Sequence, residues 1–282
     1  MDRQKLQKLI TDALNEDIGD GDHSTLSCIP ADTKGRAVLR VKQNGIIAGI
    51  DVAEAIFREA EPGISFERIM NDGDAMKIGD EAFEVSGKVH TILKCERLVL
   101  NSMQRMSGIA TLTRKYTSRL EGYRSRLLDT RKTTPNFRLL EKEAVRIGGA
   151  VNHRFGLYDM IMLKDNHIDY CGGITRAIEM AWNYVQEKQP GLKIEVETRS
   201  LDDVKEVIKV GKVDRIMLDN FSPENVKEAV TLINERFETE ASGGINLDNI
   251  EAYAATGVQF ISSGSIIHQA VSLDLSLKAI VL

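Results

Sequence analysis

The chain has 282 residues, 42% hydrophobic and 28% charged, with a formal net charge of −5. That length suits one large domain with a smaller one, and the acidic balance argues against nucleic acid as a partner. No apolar run approaches the ~20 residues of a membrane span, and no apolar segment follows Met1-Asp2-Arg3-Gln4-Lys5 as it would in a signal peptide.

Residues 2–16 read as an amphipathic helix, with Leu6, Leu9, Ile10, Ala13 and Leu14 at helical spacing. NEDIGDGDHST, residues 15–25, reads as a polar loop. Strand-length segments at 35–42, 64–70 and 82–89, with a helix at about 51–60, predict a small α+β domain. Ala75-Met76-Lys77 has the look of a biotin-attachment hairpin, but Ile78 stands where that motif needs methionine. A long helix is expected from about Cys95 to Leu120. Cys28, Cys95 and Cys171 are far apart and form no Cys-x-x-Cys pair, which predicts reduced thiols in a cytoplasmic protein and neither disulfides nor zinc.

Beyond the long helix, short apolar strands alternate with helices, and each strand ends on polar residues. Leu127-Leu128 runs into Asp129-Thr130-Arg131-Lys132, Ala150-Val151 into Asn152-His153-Arg154, and Met160–Leu163 into Lys164. Ile194 and Val196 lead to Glu197, and Ile216–Leu218 to Asp219-Asn220. Phe237–Ala241 leads to Ser242-Gly243-Gly244, and Phe260-Ile261 to Ser262-Ser263-Gly264-Ser265. Pro135 and Pro223 fit first helical turns, with Ser222 as an N-cap. About seven β-α units imply a parallel sheet closing as a barrel, whose site lies at the C-terminal strand ends.

The residues at those ends have the chemistry of an anion site. From Arg126 to His167 there are eight Lys/Arg against five Asp/Glu. Arg131, Lys132, His153, Arg154 and Lys164 would share one mouth, where arginine forks match carboxylates and phosphates. Glu197 and Asp219 suit ribose hydroxyls or a magnesium water shell, or else salt bridges to the same cations. The glycine turns at 242–244 and 263–265 suit phosphate, the alternative being two tight turns. Lys164 also admits a Schiff-base aldolase reading.

Six segments carry a resemblance: EDIGDGDHST (16–25), ERLVLNSMQRMSGIATLT (96–113), DTRKTTPNFRLLEKEAVRIGGAVNHRFGLYDMIMLKDNHI (129–168), EVET (195–198), IMLDNFSPE (216–224) and SGGI (242–245). With these the chain resembles the quinolinate phosphoribosyltransferases, also called carboxylating nicotinate-nucleotide pyrophosphorylases. The resemblance implies an incomplete TIM-like α/β barrel at 111–269. It also implies a small N-terminal α+β sandwich domain at 1–110, to which the tail 270–282 returns.

It implies a phosphoribosyl transfer from phosphoribosyl pyrophosphate (PRPP) to quinolinate with loss of carbon dioxide, using Mg2+, in a homodimer. By motif match the substrate-binding residues are Thr130, Arg131, Lys132, His153, Arg154, Lys164, Glu197 and Asp219, with Arg97 supplied across the dimer. Lys132, Lys164, Glu197 and Asp219 are the catalytic candidates. The phosphate loops fall on Ser242, Gly243, Gly244 and Ser263, Gly264, Ser265. The spacing between Glu197 and Asp219 differs from the pattern by about one residue, so Glu195 stays a second candidate.

Overall fold

The computed structural model describes residues 1–280. Asp2 accepts from the Gln4 and Lys5 amides and so caps α1 (Arg3–Ile18), and Asp22 caps α2 (His23–Cys28) through the Thr25 amide. The loop expected at 15–25 is therefore shorter: helix runs to Ile18 and resumes at His23, because an aspartate stands ready to satisfy the second helix's orphan amides. Next come β1 (Lys34–Val41), β2 (Gly45–Ile46), α3 (Ile50–Ala60), β3 (Ser65–Arg68), β4 (Ala75–Met76) and β5 (Glu81–Lys88). They lead into the long α4 (Val89–Arg119).

The β-α alternation follows: β6 (Arg126–Leu128), α5 (Arg138–Ile147), β7 (Ile161–Leu163), α6 (Asp165–Cys171), α7 (Ile174–Lys188), β8 (Ile194–Thr198) and α8 (Leu201–Val210). It continues with β9 (Arg215–Asp219), α9 (Pro223–Ile233), β10 (Glu238–Ser242), α10 (Ile250–Ala254), β11 (Phe260–Ser262), α11 (Ser265–His268) and β12 (Leu275–Ile280). Ser222 caps α9 with Pro223 in its first turn, as read from the sequence. Pro135 does not open α5. Asn136 takes a left-handed φ of 60°, which breaks the turn, and the helix begins at Arg138.

Two compact units result. The first contains residues 1–114, 133–149 and 267 onward. Its antiparallel sheet has the order β12-β1-β5-β3. Phe57, Phe66 and Phe83 cluster in this unit, with Phe66 and Phe83 stacked at 4.5 Å between centroids. The tail is tied to α4. Gln104 Nε2 donates to the Leu275 carbonyl, the Leu273 amide donates to the Gln104 carbonyl, and a side chain at Gly108 would collide with the Val271 carbonyl.

The segment 133–149, expected within the barrel, packs in this first unit. A Cβ at Gly148 would stand 2.7 Å from the Ala110 carbonyl, so only glycine lets the end of α5 approach α4 this closely. Met76 is buried in β4, which pairs with β2, while Ala75 and Lys77 on either side are exposed, so what sets the segment apart from a modification hairpin is Ile78 and not burial. Burial pushes the Cys95 thiol up to about 12, which makes it inert.

The second unit, 115–132 with 150–266, holds a six-stranded parallel sheet in the order β6-β11-β10-β9-β8-β7. The seventh expected strand, at Ala150-Val151, is reduced to a single parallel bridge between Val151 and Leu128. Five strand steps separate Val151 from β8, about 24 Å in a flat sheet. Yet His153, two residues beyond Val151, places Nε2 3.0 Å from Glu195 of β8. The sheet therefore curls into a barrel, which stays open in strand order between Val151 and β7.

Alternation along the strands sorts their side chains. Ile194, Val196, Ile216, Leu218 and Ala241 form one buried apolar face. Glu195, Glu197, Arg215, Asp219, Glu238, Glu240 and Ser242 lie on the other. The barrel interior is charged rather than filled with branched aliphatics as in an ordinary (β/α)8 barrel.

Candidate active site

Lys164, one residue past β7, places Nζ 2.7 Å from Glu197 Oε2 at the end of β8. Asp219 ends β9 and is held by Asn220 Nδ2 at 2.6 Å. Burial pushes the Asp219 carboxyl above the usual carboxylate range, and the Glu197 charge adds to it, against the pull of Lys164 and a Ser242 hydrogen bond. These are the strand ends where the sequence predicted a mouth. The Glu197 contact gives Lys164 a charge partner at the mouth, as a residue that meets an anionic ligand there would have.

Arg131, Lys132 and Thr130 follow β6. The Lys132 amide donates to Thr130 Oγ1 at 3.0 Å, a local turn that leaves both basic side chains exposed. Arg154 Nη1 donates to the Met160 carbonyl at 3.0 Å. Burial lowers the Arg154 guanidinium from its ordinary value, and the neighbouring Arg131 cation lowers it further.

His153 departs from its expected place. Its side chain is 4% exposed and lies in the barrel interior, with Nε2 3.0 Å from Glu195 Oε2 and 3.3 Å from Glu240 Oε2. Its amide donates to Asp129 Oδ1 at 2.7 Å, and Nδ1 accepts the Arg154 amide at 2.6 Å. Below, Arg215 bonds Glu240 through Nη1 at 2.9 Å, bonds Glu238 through Nε and Nη2, and lies over the Phe260 ring at 4.2 Å.

The charge state of this cluster is set by opposing causes. Against burial, the two carboxylates push His153 up to about 9. Burial and Glu240 raise Glu195, whose two oxygens lack a well-directed hydrogen bond. The Arg154 amide pointing into Nδ1 requires a lone pair there. Geometry thus puts the ring's one proton on Nε2 and leaves the cluster's extra proton on Glu195.

At the SGGI turn, Gly243 has φ 94° and Gly244 φ 64°. A Cβ on Gly243 would stand 2.8 Å from the Asn220 amide nitrogen, so the close approach of the two loops requires glycine. The second loop is built differently. Ser263 Oγ donates to the Ile245 carbonyl at 2.9 Å, and Ser265 Oγ lies 2.5 Å from Ser263 Oγ and 2.9 Å from Tyr116 OH. Both hydroxyls are committed inside the protein, so only the backbone about Gly264 is left to offer a ligand. Arg97 is exposed on α4, in the first unit.

Sequence reasoning passed over Glu240, Arg215 and Asp129. For Glu240 and Arg215 a signal existed: the charges stand two residues apart in IEVET and ETEAS and four apart in RIMLD, even spacings that place them on one strand face.

The models of the quinolinate phosphoribosyl transferase C-terminal and N-terminal domains match residues 109–278 and 22–107. The chain belongs to the quinolinate phosphoribosyltransferase family. It is 44% identical to a decarboxylating quinolinate phosphoribosyltransferase of Nicotiana tabacum, over 97% of this chain and 82% of that protein. It is 42% identical to a probable carboxylating nicotinate-nucleotide pyrophosphorylase of Synechocystis, over 95% and 90%. Among solved structures, NadC from Streptococcus pyogenes superimposes with a TM-score of 0.92 at 39% identity, over 100% and 99% of the two chains. The Francisella tularensis nicotinate-nucleotide pyrophosphorylase gives 0.91 at 36%, over 99% and 98%. Members of this family therefore share both of the chain's units.

Proposed function

We propose that the protein transfers the phosphoribosyl group of PRPP to quinolinate, yielding nicotinate mononucleotide, pyrophosphate and carbon dioxide, a step in NAD synthesis. What supports this reading is the set of charges at the strand ends: cations at Arg131, after β6, and Arg154, after Val151, and the Lys164–Glu197 pair with Asp219 ending the next strand. A dianionic acceptor needs the first set and a ribosyl donor needs the second.

In this reading Arg131 and Arg154, with Arg97 of a second copy, take the two substrate carboxylates; unpaired burial of a carboxylate costs several kcal/mol, of order that of a lost buried charge pair. Thr130 shapes the turn that presents Arg131 and Lys132. Glu197 and Asp219 accept from the ribose hydroxyls. The 5′-phosphate takes the amides of the 242–244 turn and those about Gly264, the Ser263 amide being already bonded to the Leu128 carbonyl.

The pyridine nitrogen attacks the anomeric carbon as the bond to pyrophosphate breaks. Lys164 offsets the developing charge. The ring becomes a pyridinium. Its positive nitrogen holds the electron pair left when the adjacent carboxylate departs as carbon dioxide, and Lys132 delivers the proton to that carbon. Glu197 and Asp219 are hard oxygen ligands that would hold the water shell of a magnesium ion bound with PRPP, and the ion would neutralise charge on the pyrophosphate.

His153 enters this scheme from beneath the mouth, where its burial puts it, rather than as a direct partner of the substrate. The homodimer comes from the family resemblance, and the exposure of Arg97 on α4 is what a residue offered to a second copy requires. The cytoplasm is consistent with three unpaired thiols, and among the described residues no helix is long and apolar enough to cross a membrane. The names of several plant relatives carry chloroplastic or mitochondrial instead.

The test is a coupled assay of purified protein with magnesium, PRPP and quinolinate labelled in the 2-carboxylate. Nicotinate mononucleotide and labelled carbon dioxide should appear one for one. Product with nicotinate as acceptor and none with quinolinate would reassign the substrate.

A further inference from the structure

An aliphatic layer would fill the barrel at lower cost than the charges found there. Removing one partner of such a buried pair leaves an uncompensated charge, so the cluster is held together by mutual need. What it achieves beyond filling is orientation. The His153 ring is held at Nδ1 by the Arg154 amide and drawn at Nε2 by the Glu195 and Glu240 carboxylates, whose contacts at 3.0 and 3.3 Å are ionic and not directed hydrogen bonds, while Asp129 holds the His153 amide. Arg215 in turn fixes Glu240 from below, and Glu238 fixes Arg215. The chain of contacts thus runs from the floor of the barrel to the backbone of Arg154, whose guanidinium donates to the Met160 carbonyl.

We propose that Glu195 and Glu240, footed on Arg215, are positioning residues of the reaction: they clamp the His153 ring and through its Nδ1 set where Arg154 meets the dicarboxylate. The proposal rests on the function read above, in which Arg154 binds the acceptor. Neither glutamate touches substrate. Their effect reaches the acceptor through His153 and leaves the donor's phosphate loops alone.

Nε2 and the two carboxylates lie within 4.8 Å of one another, a spacing that would also admit a metal ion. The guanidinium on the same Glu240 oxygen already supplies the positive charge that a metal would bring. The trio is therefore assigned to positioning.

The decisive variant is Glu240→Gln, which keeps the shape and one acceptor but removes the charge. The KM for quinolinate should rise about tenfold, the order of loss expected from a displacement well under 1 Å at a reacting group, with the KM for PRPP within about twofold. Glu195→Gln should move the same parameter in the same direction. Equal rises for both substrates, or no change, would overturn the positioning role.

A wild-type measurement stands independently of how the variants fold. In 15N spectra of the imidazoles, assigned with a His153→Asn control, the His153 ring should carry its proton on Nε2 with Nδ1 accepting. A proton on Nδ1 breaks the link to Arg154 and overturns the proposal. So does one equivalent of divalent metal that is retained through chelation in the wild type and lost in Glu240→Gln. Wild-type protein inert toward quinolinate sinks the proposed function and this inference with it. Wild-type turnover with an unaffected Glu240→Gln sinks this inference alone.

Discussion

Lys164 Nζ and Glu197 Oε2 meet at 2.7 Å across the ends of β7 and β8, two strands adjacent in the sheet. The lysine side chain is 45% exposed and the glutamate 7%, so the carboxylate is the fixed member and the ammonium the adjustable one. Lys164→Ala and Glu197→Ala should each lower kcat/KM by about 100-fold, whereas the double variant should lose far less than the product, since the two act as a unit. Stability should change by under about 1 kcal/mol for the lysine variant, the range for a solvent-screened pair. Strictly additive losses in kcat/KM would separate the two roles.

Arg131→Ala should weaken quinolinate binding, read by calorimetry, at least about tenfold more than PRPP binding, because a charged acceptor loses a bidentate partner. Equal losses for both ligands would remove Arg131 from the acceptor subsite. Mixing Arg97→Ala protein with Lys164→Ala protein, under conditions where subunits exchange, should restore part of the activity through one intact shared site. No recovery despite proven exchange would place Arg97 outside the neighbour's site.

Gly243→Ala combines a left-handed φ of 94° with a collision at Asn220. Backbone strain of this kind costs about 1–3 kcal/mol. The expected outcome is a lower urea midpoint together with a raised KM for PRPP and little change in that for quinolinate. A raised KM for quinolinate alone would detach the SGGI turn from the donor.

The His153 cluster makes stability fall as pH rises. The cluster as a whole, with His153 pushed up to about 9 and Glu195 raised beside it, keeps in the fold one proton that the unfolded chain has released, and the Nδ1 geometry puts that proton on Glu195 and not on the ring. The cluster's contribution is whole below the ordinary histidine value near 6.5 and is lost as pH passes through about 9. Urea midpoints should therefore decline from pH 6.5 to 9.5, and less steeply in Glu240→Gln. A midpoint that climbs over that interval would contradict the assignment.

In the first unit, Glu141 is fully buried and takes Arg105 Nε at 2.9 Å as well as both the amide and hydroxyl of Thr134. Arg105 also donates to the Ala270 and Ile267 carbonyls. Arg105→Ala strands the carboxylate and should destabilise the protein by about 3–5 kcal/mol in urea unfolding. A loss under about 1 kcal/mol would show that the site relaxes or hydrates.

Much of this protein was legible before any coordinates. Apolar runs ending on charged residues announced β6 through β11 and their mouth, because strand ends in a parallel barrel converge. Ser222-Pro223 announced the start of α9, because capping is local chemistry. The glycine turn at Gly243 was legible for the same reason, since positive φ is a property of the residue itself.

Three things were decided only in three dimensions. The capture of residues 133–149 by the first unit depends on Gly148 meeting α4 and on Arg105 reaching Glu141, contacts between positions far apart in the chain. The burial of the Ser263 and Ser265 hydroxyls depends on Tyr116 and Ile245. The retreat of His153 into the interior depends on the curl of the sheet, which brings together Val151, β8 and β10. The sequence alone determined which chemical groups stand at the strand ends, since period and caps act over a few residues. Tertiary structure decided which of them face a ligand and which face one another, since that follows from closure of the barrel.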